Sequence, residues 1–413
     1  MNRKFRNTLG GLVALAWSAT ALQAEAAVNV QCPGDTNGDA VIDAPNPAHP
    51  NARCMHLAAG DGWSVMADGK SQYIFGFSDV TGTPSEQVMQ KGALAANLPA
   101  PPIALEQGQE LYLTLSNVGM LMRPDLFDPH SIHFHGFPNA APVFDGEPEA
   151  GISANMGASF TYYYNIVEPG TYVYHCHVEA AEHMQMGMLG SLYVRAGQNK
   201  LPAGTVLTGG LVHQPSYQYA YNDGDGSTRY DKEYALQLAS FDSNFHDLHI
   251  AVQPLPFAYM KDNYSMINGR SYPDTVNTGV LPQSPDNSLP DKLSQKVNSL
   301  VEATRGQKVL LRLSNLSITN FYTVTALGLP MKVVGSGARI LRAHNPDGSP
   351  VAGGKTLYYD TASVNLGGGE TADILIDTTN VAPGTYYLYT TNLNYLSNGP
   401  EDNGGIMTEI VVN

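Results

Sequence analysis

Two stretches of this chain occur twice, once in each half. Residues 108–117 read GQELYLTLSN and return at 306–315 as GQKVLLRLSN, while PGTY at 169–172 returns at 383–386. In the longer stretch apolar and polar side chains largely alternate, which is the pattern of a strand buried on one face. Two matched pairs in the same order predict two copies of one β-sandwich domain with Greek-key connections.

The composition fits an all-β chain, since only 14% of the residues are charged, whereas glycine and proline number 41 and 27. Frequent turn-forming residues are typical of short strands joined by many turns. We predict five segments along the chain. They are a signal peptide at 1–26, an irregular N-terminal extension at 27–70, a first sandwich domain at 71–205, a linker at 206–229 and a second sandwich domain at 230–413.

The N-terminus has the three parts of a secretory signal. A basic region at 3–6 precedes a short apolar stretch at 9–22, and Ala24-Glu25-Ala26 offers a cleavage site with small residues. The apolar stretch is too short to be a good membrane span. We therefore expect export to the periplasm or the exterior, with no membrane span in the mature chain; the alternative is a buried N-terminal helix.

The formal net charge of −15 argues against nucleic acid as a partner, because like charges repel. A cationic or neutral partner fits better. Three cysteines remain in a chain expected to be exported. Cys32 and Cys54 lie close together in a turn-rich stretch, so we predict a disulfide between them. Cys176 is then left over.

The N-terminal extension also contains the acidic sequence DTNGDAVID at 35–43. Its alternating oxygen side chains resemble those of a calcium-binding loop, although position 12 of such a loop would be Asn46 rather than a glutamate. A turn stabilised by Asp and Asn side chains is the other interpretation. Both interpretations stay open on sequence alone.

Six of the twelve histidines gather in two clusters, and the second cluster surrounds Cys176. The first cluster reads HSIHFHG from residue 130, and the second reads HCHVEAAEHMQMGM from residue 175. Histidines and a thiol at such spacing indicate a metal site rather than ordinary core or surface residues.

Strand geometry sorts these side chains into two sets, because alternate residues of a strand point to opposite faces. Cys176 and His130 fall on one face. The other face collects His133, His135, His175 and His177. With His183 and Met188, the first set offers two imidazoles, a thiolate and a thioether, which are the ligands of a blue-copper (type 1) electron-transfer site.

The second set has four imidazoles and no thiolate, and it suits a copper site accessible to substrate. Because Cys176 is covalently joined to both His175 and His177, an electron would have a through-bond route between the two sites. The sequence therefore predicts copper as the cofactor, with calcium as a further candidate in the acidic loop.

These motifs resemble the multicopper oxidases, in the two-domain form that keeps its type 1 site in the first domain and is related to copper nitrite reductases. The resemblance implies cupredoxin-like sandwiches and a head-to-tail homotrimer. It implies that His133 is a type 2 ligand. It also implies type 3 roles for His135, His175 and His177.

The second domain departs from the family pattern. Aligning the repeats places Tyr322, Thr325 and Leu327 opposite the first histidine cluster, and Tyr389, Thr390 and Thr391 opposite the His-Cys-His motif. The second domain is therefore expected to lack copper ligands, and a complete trinuclear centre is not expected.

Three functions remain open on sequence alone. The first is an enzyme of the multicopper oxidase type, passing electrons from a type 1 copper to a second copper. The second is a non-enzymatic electron carrier or copper-sequestering protein, and the third is the reduction of nitrite or another oxyanion. The electron donor would be a small redox protein or a small molecule.

Some residues receive more ordinary interpretations. We expect His213, His246, His249 and His344 to be surface or turn residues, with His246 and His249 as an alternative supplement to the second site. Glu179 and Glu182 are interpreted either as a proton relay or as part of a solvated loop.

Overall fold

The computed structural model describes residues 28–251, 255–283, 292–345, 351 and 354–413. Most regular structure in these ranges is β-strand. The α-helices it describes are α1 (Val88–Gly92), α2 (Ala180–Gln185) and α3 (Ser243–His249). The predicted all-β fold is confirmed. The predicted signal peptide lies outside the described residues, and in the part of the chain that is described no helix is both long and apolar enough to cross a membrane.

Eight strands build the first sandwich. They are β1 (Ala52–Val65), β2 (Ser71–Asp79), β3 (Ala100–Glu106), β4 (Glu110–Gly119), β5 (His133–His135), β6 (Ser159–Asn165), β7 (Gly170–His175) and β8 (Leu189–Arg195). One sheet has the order β2-β1-β4-β6 and the other has the order β3-β8-β7-β5. Leu111, Leu113 and Leu115 point inwards from β4 and are fully buried in the core between these sheets, as their alternation predicts.

The prediction of an irregular extension over 27–70 was wrong for residues 52–65. These residues form β1, which pairs in parallel with β4. The alternating pattern is hard to recognise there because Gly60 and Gly62 interrupt it. Gly60 is needed where the strand passes β4, since a Cβ atom would lie 2.7 Å from a methyl carbon of Val118. Tertiary packing therefore determines this strand more than its local pattern does.

The second half begins with a hairpin of β9 (Gln218–Tyr219) and β10 (Arg229–Tyr230), which lies where a plain linker was expected. Fourteen strands follow: β11 (Lys232–Phe241), β12 (Tyr264–Ile267), β13 (Val301–Ala303), β14 (Lys308–Asn315), β15 (Tyr322–Ala326), β16 (Met331–Ser336), β17 (Arg339–Ile340), β18 (Tyr359–Thr361), β19 (Ser363–Leu366), β20 (Thr371–Asp377), β21 (Gly384–Thr390), β22 (Ser397–Asn398), β23 (Glu401–Asp402) and β24 (Met407–Val412). One sheet has the order β17-β16-β20-β14-β11-β12-β22-β23, with β18 beside β16, and the other has the order β13-β24-β21-β15-β19.

The repeated sequences occupy matching strands. The longer repeat forms β4 and β14, and each of these strands has a parallel partner, β1 and β11 respectively. The PGTY repeats lead into β7 and β21, which pair with β5 and β15. The second sandwich therefore repeats the strand order of the first and adds further strands at the sheet edges.

The two sandwiches pack against each other along β7. Thr171 on β7 donates a hydrogen bond to Asp373 on β20 (2.5 Å), and its carbonyl accepts one from Thr371. Arg195 on β8 donates to Glu233 on β11, which also accepts from Arg312 on β14. This buried polar interface fixes the sheet that carries the histidines against the second domain.

The N-terminal segment is tied to the first sandwich by a disulfide between Cys32 and Cys54, as predicted. In the acidic loop, Asp35 accepts hydrogen bonds from three backbone amides, and Asp43 accepts from the amide and hydroxyl of Thr36. These bonds are those of the turn interpretation. Calcium in this loop stays a prediction.

Candidate metal centre

Two neighbouring strands and one connection carry the predicted ligands. His133 and His135 lie on β5, and His175 is the last residue of β7. His133 stands directly opposite His175 in the antiparallel pair, so both side chains point to the same face. The connection from β7 to β8, residues 176–188, contains α2 and brings His183 and Met188 back beside Cys176.

Cys176, His130 and His183 form a fully buried cluster. The Cys176 Sγ atom lies 3.3 Å from Nδ1 of His183 and 3.8 Å from Nδ1 of His130. All three side chains are 0% exposed, as is Met188. The Met188 backbone bonds to both neighbours, because its carbonyl accepts from the Cys176 amide and its amide donates to the His183 carbonyl. The structure therefore brings the predicted first set together.

A glycine shapes this connection. Gly187 has φ +119°, in the region that favours glycine, and an added Cβ atom would lie 2.7 Å from the Phe75 carbonyl oxygen. The close approach lets the chain turn from α2 into β8 and positions Met188 at the cluster.

The two imidazoles of the first cluster differ in their affinity for protons. Burial lowers the pKa of His130 well below its ordinary value, and the charge of His183 lowers it further. Burial also lowers the pKa of His183, but the nearby Cys176 and Asp128 outweigh burial and raise it to about 10. A metal binding at Nδ1 of His183 must therefore displace a proton.

His133, His135 and His175 form a second cluster on the opposite face of β7. Their ligand nitrogens lie within 4.8 Å of one another, and Nε2 of His175 is 3.5 Å from Nδ1 of His135. His177 lies beside them, with its ring centroid 4.9 Å from that of His133, but it is not one of the three that converge most closely. The predicted second set is therefore also together, with His177 at its edge.

Backbone carbonyls orient two of these rings. Nδ1 of His133 donates to the Asp145 carbonyl (2.7 Å), and Nδ1 of His175 donates to the Cys176 carbonyl (2.9 Å). In each ring the proton is then on Nδ1, so Nε2 keeps a free lone pair. Burial lowers the pKa of His175 to about 3 and also lowers the pKa values of His133 and His135. The three imidazoles are neutral at neutral pH, which is the form that binds metal.

The second cluster is open on one side. His135 is exposed, whereas His175 is buried. The turn before β20 approaches from the second domain, and a Cβ atom on Gly369 would lie 2.8 Å from Nε2 of His135. Glu147 Oε1 is 3.9 Å from Nδ1 of His177 on the first-domain side. The cluster is therefore bordered by a glycine turn of the second domain on one side and by a carboxylate of the first domain on the other.

The second domain has other residues at the matching positions. Thr325 stands opposite Tyr389 in the β15–β21 pair, where the first domain has His133 opposite His175. The register thus agrees with the alignment of the repeats. Among the described residues, no group of three or more His, Cys, Asp or Glu side chains with metal-site spacing lies in the second domain.

Of the four histidines expected to be surface or turn residues, His344 is exposed and the other three are buried. His213, His246 and His249 are each 0% exposed, so the expectation was wrong for these three. Helix α3 explains two of them, because it packs against the first domain. His246 bonds to the carbonyls of Tyr73 and Gln185, and His249 Nε2 lies 2.5 Å from Glu182 Oε1. His246 and His249 are thus on the side of α2, away from the three-histidine group.

Sequence reasoning missed several residues around the clusters. Asp145 and Glu147 lie in an acidic stretch soon after the first histidine motif, and that proximity was an available signal. Glu182 was considered a relay or a solvated residue, but it is buried against His249. Asp128, whose Oδ2 lies 3.9 Å from Nε2 of His183, had no recognisable pattern.

The chain is similar to known proteins over most of its length. Models of the multicopper oxidase family match residues 78–199 and 254–412. A search of curated protein sequences found no match.

Solved structures share the fold at low sequence identity. A blue copper oxidase from Nitrosomonas europaea has a TM-score of 0.59 and 21% identity, covering 87% of this chain and 86% of its own. The multicopper oxidase mgLAC has a TM-score of 0.58 and 19% identity, with coverage of 88% and 86%. A copper nitrite reductase from Nitrosomonas europaea has a TM-score of 0.54 and 16% identity, with coverage of 88% and 94%.

One assignment follows from the two sandwiches, the histidine motifs and the two family-model matches. The chain belongs to the multicopper oxidase family, a cupredoxin-type family of copper oxidoreductases.

Proposed function

We propose that this protein is a copper-dependent oxidoreductase that passes electrons from a type 1 copper to a second copper within the first domain. His130, Cys176, His183 and Met188 would hold the first copper, and His133, His135 and His175 would hold the second, with His177 beside it. Copper supplies reversible one-electron chemistry at both positions.

The first cluster fits copper by its donor set and its burial. Both imidazoles present Nδ1 to the Cys176 sulfur, and the site is closed to solvent. Zinc accepts thiolate and imidazole as well, but a methionine ligand is not typical of structural zinc. A buried and tightly packed ligand set also suits electron transfer, because its geometry changes little when the metal changes oxidation state.

The second cluster fits a copper that meets a substrate. Two of its nitrogens are oriented by carbonyl hydrogen bonds, and His135 is exposed to solvent. Three neutral imidazoles with an open side leave room for a further ligand. Glu147 lies beside this opening, where it can accept or donate a proton.

The position of Cys176 between the two clusters carries the proposal. Its side chain belongs to the first cluster, while the residue before it, His175, points to the opposite face of β7 and belongs to the second. Electrons can therefore pass along the Cys176–His175 backbone without crossing solvent. A simple carrier would have no use for the second cluster at this place.

Two further features belong to the proposal. We propose export to the periplasm or the exterior, which the Cys32–Cys54 disulfide supports because disulfides persist in oxidising compartments. We also propose a homotrimer, which the family resemblance implies, and large apolar side chains left exposed beside β15 and β21 support contact between copies. They include Phe321, Leu327 and Leu393, which are 67%, 73% and 75% exposed.

A copper count with visible and paramagnetic resonance spectra tests the function. We expect at least two copper atoms per chain, with a thiolate-to-copper absorption from the first and a separate resonance signal without thiolate character from the second. One copper per chain with that absorption would indicate a carrier. Nitrite-dependent reoxidation of the reduced protein, with no oxidase activity, would instead indicate an oxyanion reductase.

A further inference from the structure

A small cavity lies where the end of β2 meets the second half of the chain. Its volume is about 150 Å³, and it is bordered by residues 78–80, by Lys91 and Ala95 near the end of α1, and by residues of the segment 292–296. This volume is well above the roughly 10–15 Å³ that one water molecule needs, and below the roughly 300–1,000 Å³ of pockets that bind drug-sized ligands. The size therefore suits a small ion, and none of the bordering residues belongs to the proposed copper sites.

Three lysines border the cavity, namely Lys91, Lys292 and Lys296. Among the described residues that border it, the one acidic side chain is that of Asp79, which is exposed and accepts a hydrogen bond from the Thr81 amide (2.9 Å). Positive charge is thus in excess here, although the whole chain has a formal net charge of −15. Such a local excess attracts anions.

The fold holds these lysines close to one another despite their mutual repulsion. Nζ of Lys292 donates to the Ala93 carbonyl (2.5 Å) just after α1. Burial lowers the pKa of Lys296, Asp79 acts in the opposite direction, and the charge of Lys91 lowers it further. In the part of the chain that the structure describes, neither Lys91 nor Lys296 forms a salt bridge. An anion between them would offset this repulsion.

A buried hydroxyl at the same cavity has no partner. Ser78 is 4% exposed, and among the described residues its Oγ atom has no hydrogen-bond partner. Leaving a buried hydroxyl without a hydrogen bond costs free energy, so such groups are normally satisfied by the protein or by a bound species. Because Ser78 also lines the cavity, an oxygen of a bound anion would accept the missing hydrogen bond.

Contacts between the two halves of the chain keep the walls of the cavity in place. Phe77 on β2 forms an isolated antiparallel bridge with Asn97. The Asn97 side chain donates to the Leu293 carbonyl (3.4 Å), and the Gln283 side chain donates to the Ala96 carbonyl (3.3 Å). The cavity is therefore built by backbone groups of both halves, which position the lysines around it.

We propose that the three lysines bind one phosphate ion, a tetrahedral oxyanion, in this cavity, and that the Ser78 hydroxyl donates to one of its oxygens. Lysine binds phosphate as a point charge, and a dianion matches the excess of positive charge. The oxygens of the ion also supply the acceptor that the hydroxyl lacks. Since the lysines come from both halves of the chain, the bound ion joins the first domain to the segment 292–296.

The first experiment titrates inorganic phosphate into the copper-loaded full-length protein at constant ionic strength and follows binding by calorimetry. We expect Lys91→Gln and Lys296→Gln each to weaken the binding of one phosphate at least tenfold, and Ser78→Ala at least threefold. Lys332→Gln removes one positive charge from an exposed lysine on β16 and is the charge-matched control. Equal binding by Lys296→Gln and the wild type, or an equal loss in Lys332→Gln, would overturn the proposal. Glycerol 3-phosphate should bind at least tenfold more weakly than phosphate, and equal affinity would overturn the restriction to the free ion.

The second experiment measures the thermal unfolding of the same copper-loaded proteins in phosphate and in sodium chloride of equal ionic strength. A ligand that binds only the folded chain stabilises it by mass action. We therefore expect phosphate to raise the Tm of the wild type and of Lys332→Gln above the value in sodium chloride, and to leave the Tm of Lys296→Gln unchanged. An equal rise in all three proteins would show a general effect of the salt and would contradict a site at these lysines.

Discussion

Phe134 faces Tyr174 in the first domain, and at the matching place in the second domain Ala326 faces Leu388. The strand order and register are shared, yet the first domain has histidines on either side of this pair. The second has Thr325 and Tyr389 there. The same backbone therefore supports the proposed metal site in one domain and a plain sheet in the other, and the side chains at these few positions make the difference.

The connections after β7 and β21 differ as well. In the first domain, residues 176–188 form α2 and return His183 and Met188 to Cys176. In the second domain, the chain after β21 forms β22 and β23, which extend the other sheet beside β12. One connection supplies two of the proposed ligands, and the other supplies strands. The difference teaches that ligand delivery depends on this connection as much as on the sheet.

The largest expected effect comes from the paired positions Cys176 and Thr390. Cys176→Ser should abolish the thiolate-to-copper absorption completely, because the sulfur that produces it is gone. Thr390→Ser, the same position in the second domain, should leave the absorption unchanged. Visible spectra of the copper-loaded proteins measure both. A Cys176→Ser protein that keeps its colour would break the comparison.

The next effect concerns the second cluster. His133→Ala/His135→Ala should remove at least one copper per chain while keeping the thiolate-to-copper absorption, because it deletes two of the three converging imidazoles. The counterpart Thr325→Ala/Leu327→Ala should bind as much copper as the wild type. Metal analysis of the purified proteins gives the counts. Identical counts in both double variants would mean that the three histidines hold no metal.

Much of this comparison follows from sequence. The repeats predict matching strands, and the alternation of side chains on a strand separates Cys176 from His175 and His133. The pairing of Cys32 with Cys54 follows from their closeness in a turn-rich stretch. All of these predictions rest on residue types and spacings that can be read directly from the sequence.

Other features depend on contacts between distant segments. His249 is buried because α3 of the second half packs on the first domain, and no local sequence pattern predicts its contact with Glu182. Asp128 lies near His183 only after the connection around α2 has folded back. Strand β1 is obscured by glycines whose role is close packing. Tertiary structure therefore decides the surroundings of the ligands, while local sequence decides the ligands themselves.

The two domains should also differ in how far a buried charge contributes to the free energy of unfolding. The second domain buries Arg312, which pairs with Glu233 (2.9 Å) and Asp373, where the first domain has Thr114. Glu233 keeps Arg195, but Arg312→Met leaves the buried Asp373 without its cationic partner and should reduce the free energy of unfolding by about 3–5 kcal/mol. Arg305→Met changes an exposed arginine and should cost far less. Urea unfolding of both variants tests this, and equal losses would contradict it.

The smallest expected effect is a pH dependence of the free energy of unfolding that arises in the core of the first domain. Burial lowers the pKa of His56 on β1 from its ordinary value to about 4, although Asp79 acts in the opposite direction. As the pH falls below 6.5, His56 gains a proton in the unfolded chain, whereas in the folded chain it gains one only near pH 4. Stability is therefore lost on acidification, by about 1.4 kcal/mol for each pH unit in this window.

In the second core, the charges of Arg312 and Arg195 outweigh burial and lower the pKa of Glu233. The stability that Glu233 contributes is present above pH 4.5 and is lost only below that value. Between pH 6.5 and 5, the loss of stability due to His56 is therefore separate from it. We expect the wild type to lose about 2 kcal/mol between pH 6.5 and 5 that His56→Gln does not lose. His344→Gln, which changes an exposed histidine, should follow the wild type. Urea unfolding of the metal-free proteins at these two pH values gives the differences, and parallel losses in His56→Gln and the wild type would show that His56 does not cause the acid sensitivity.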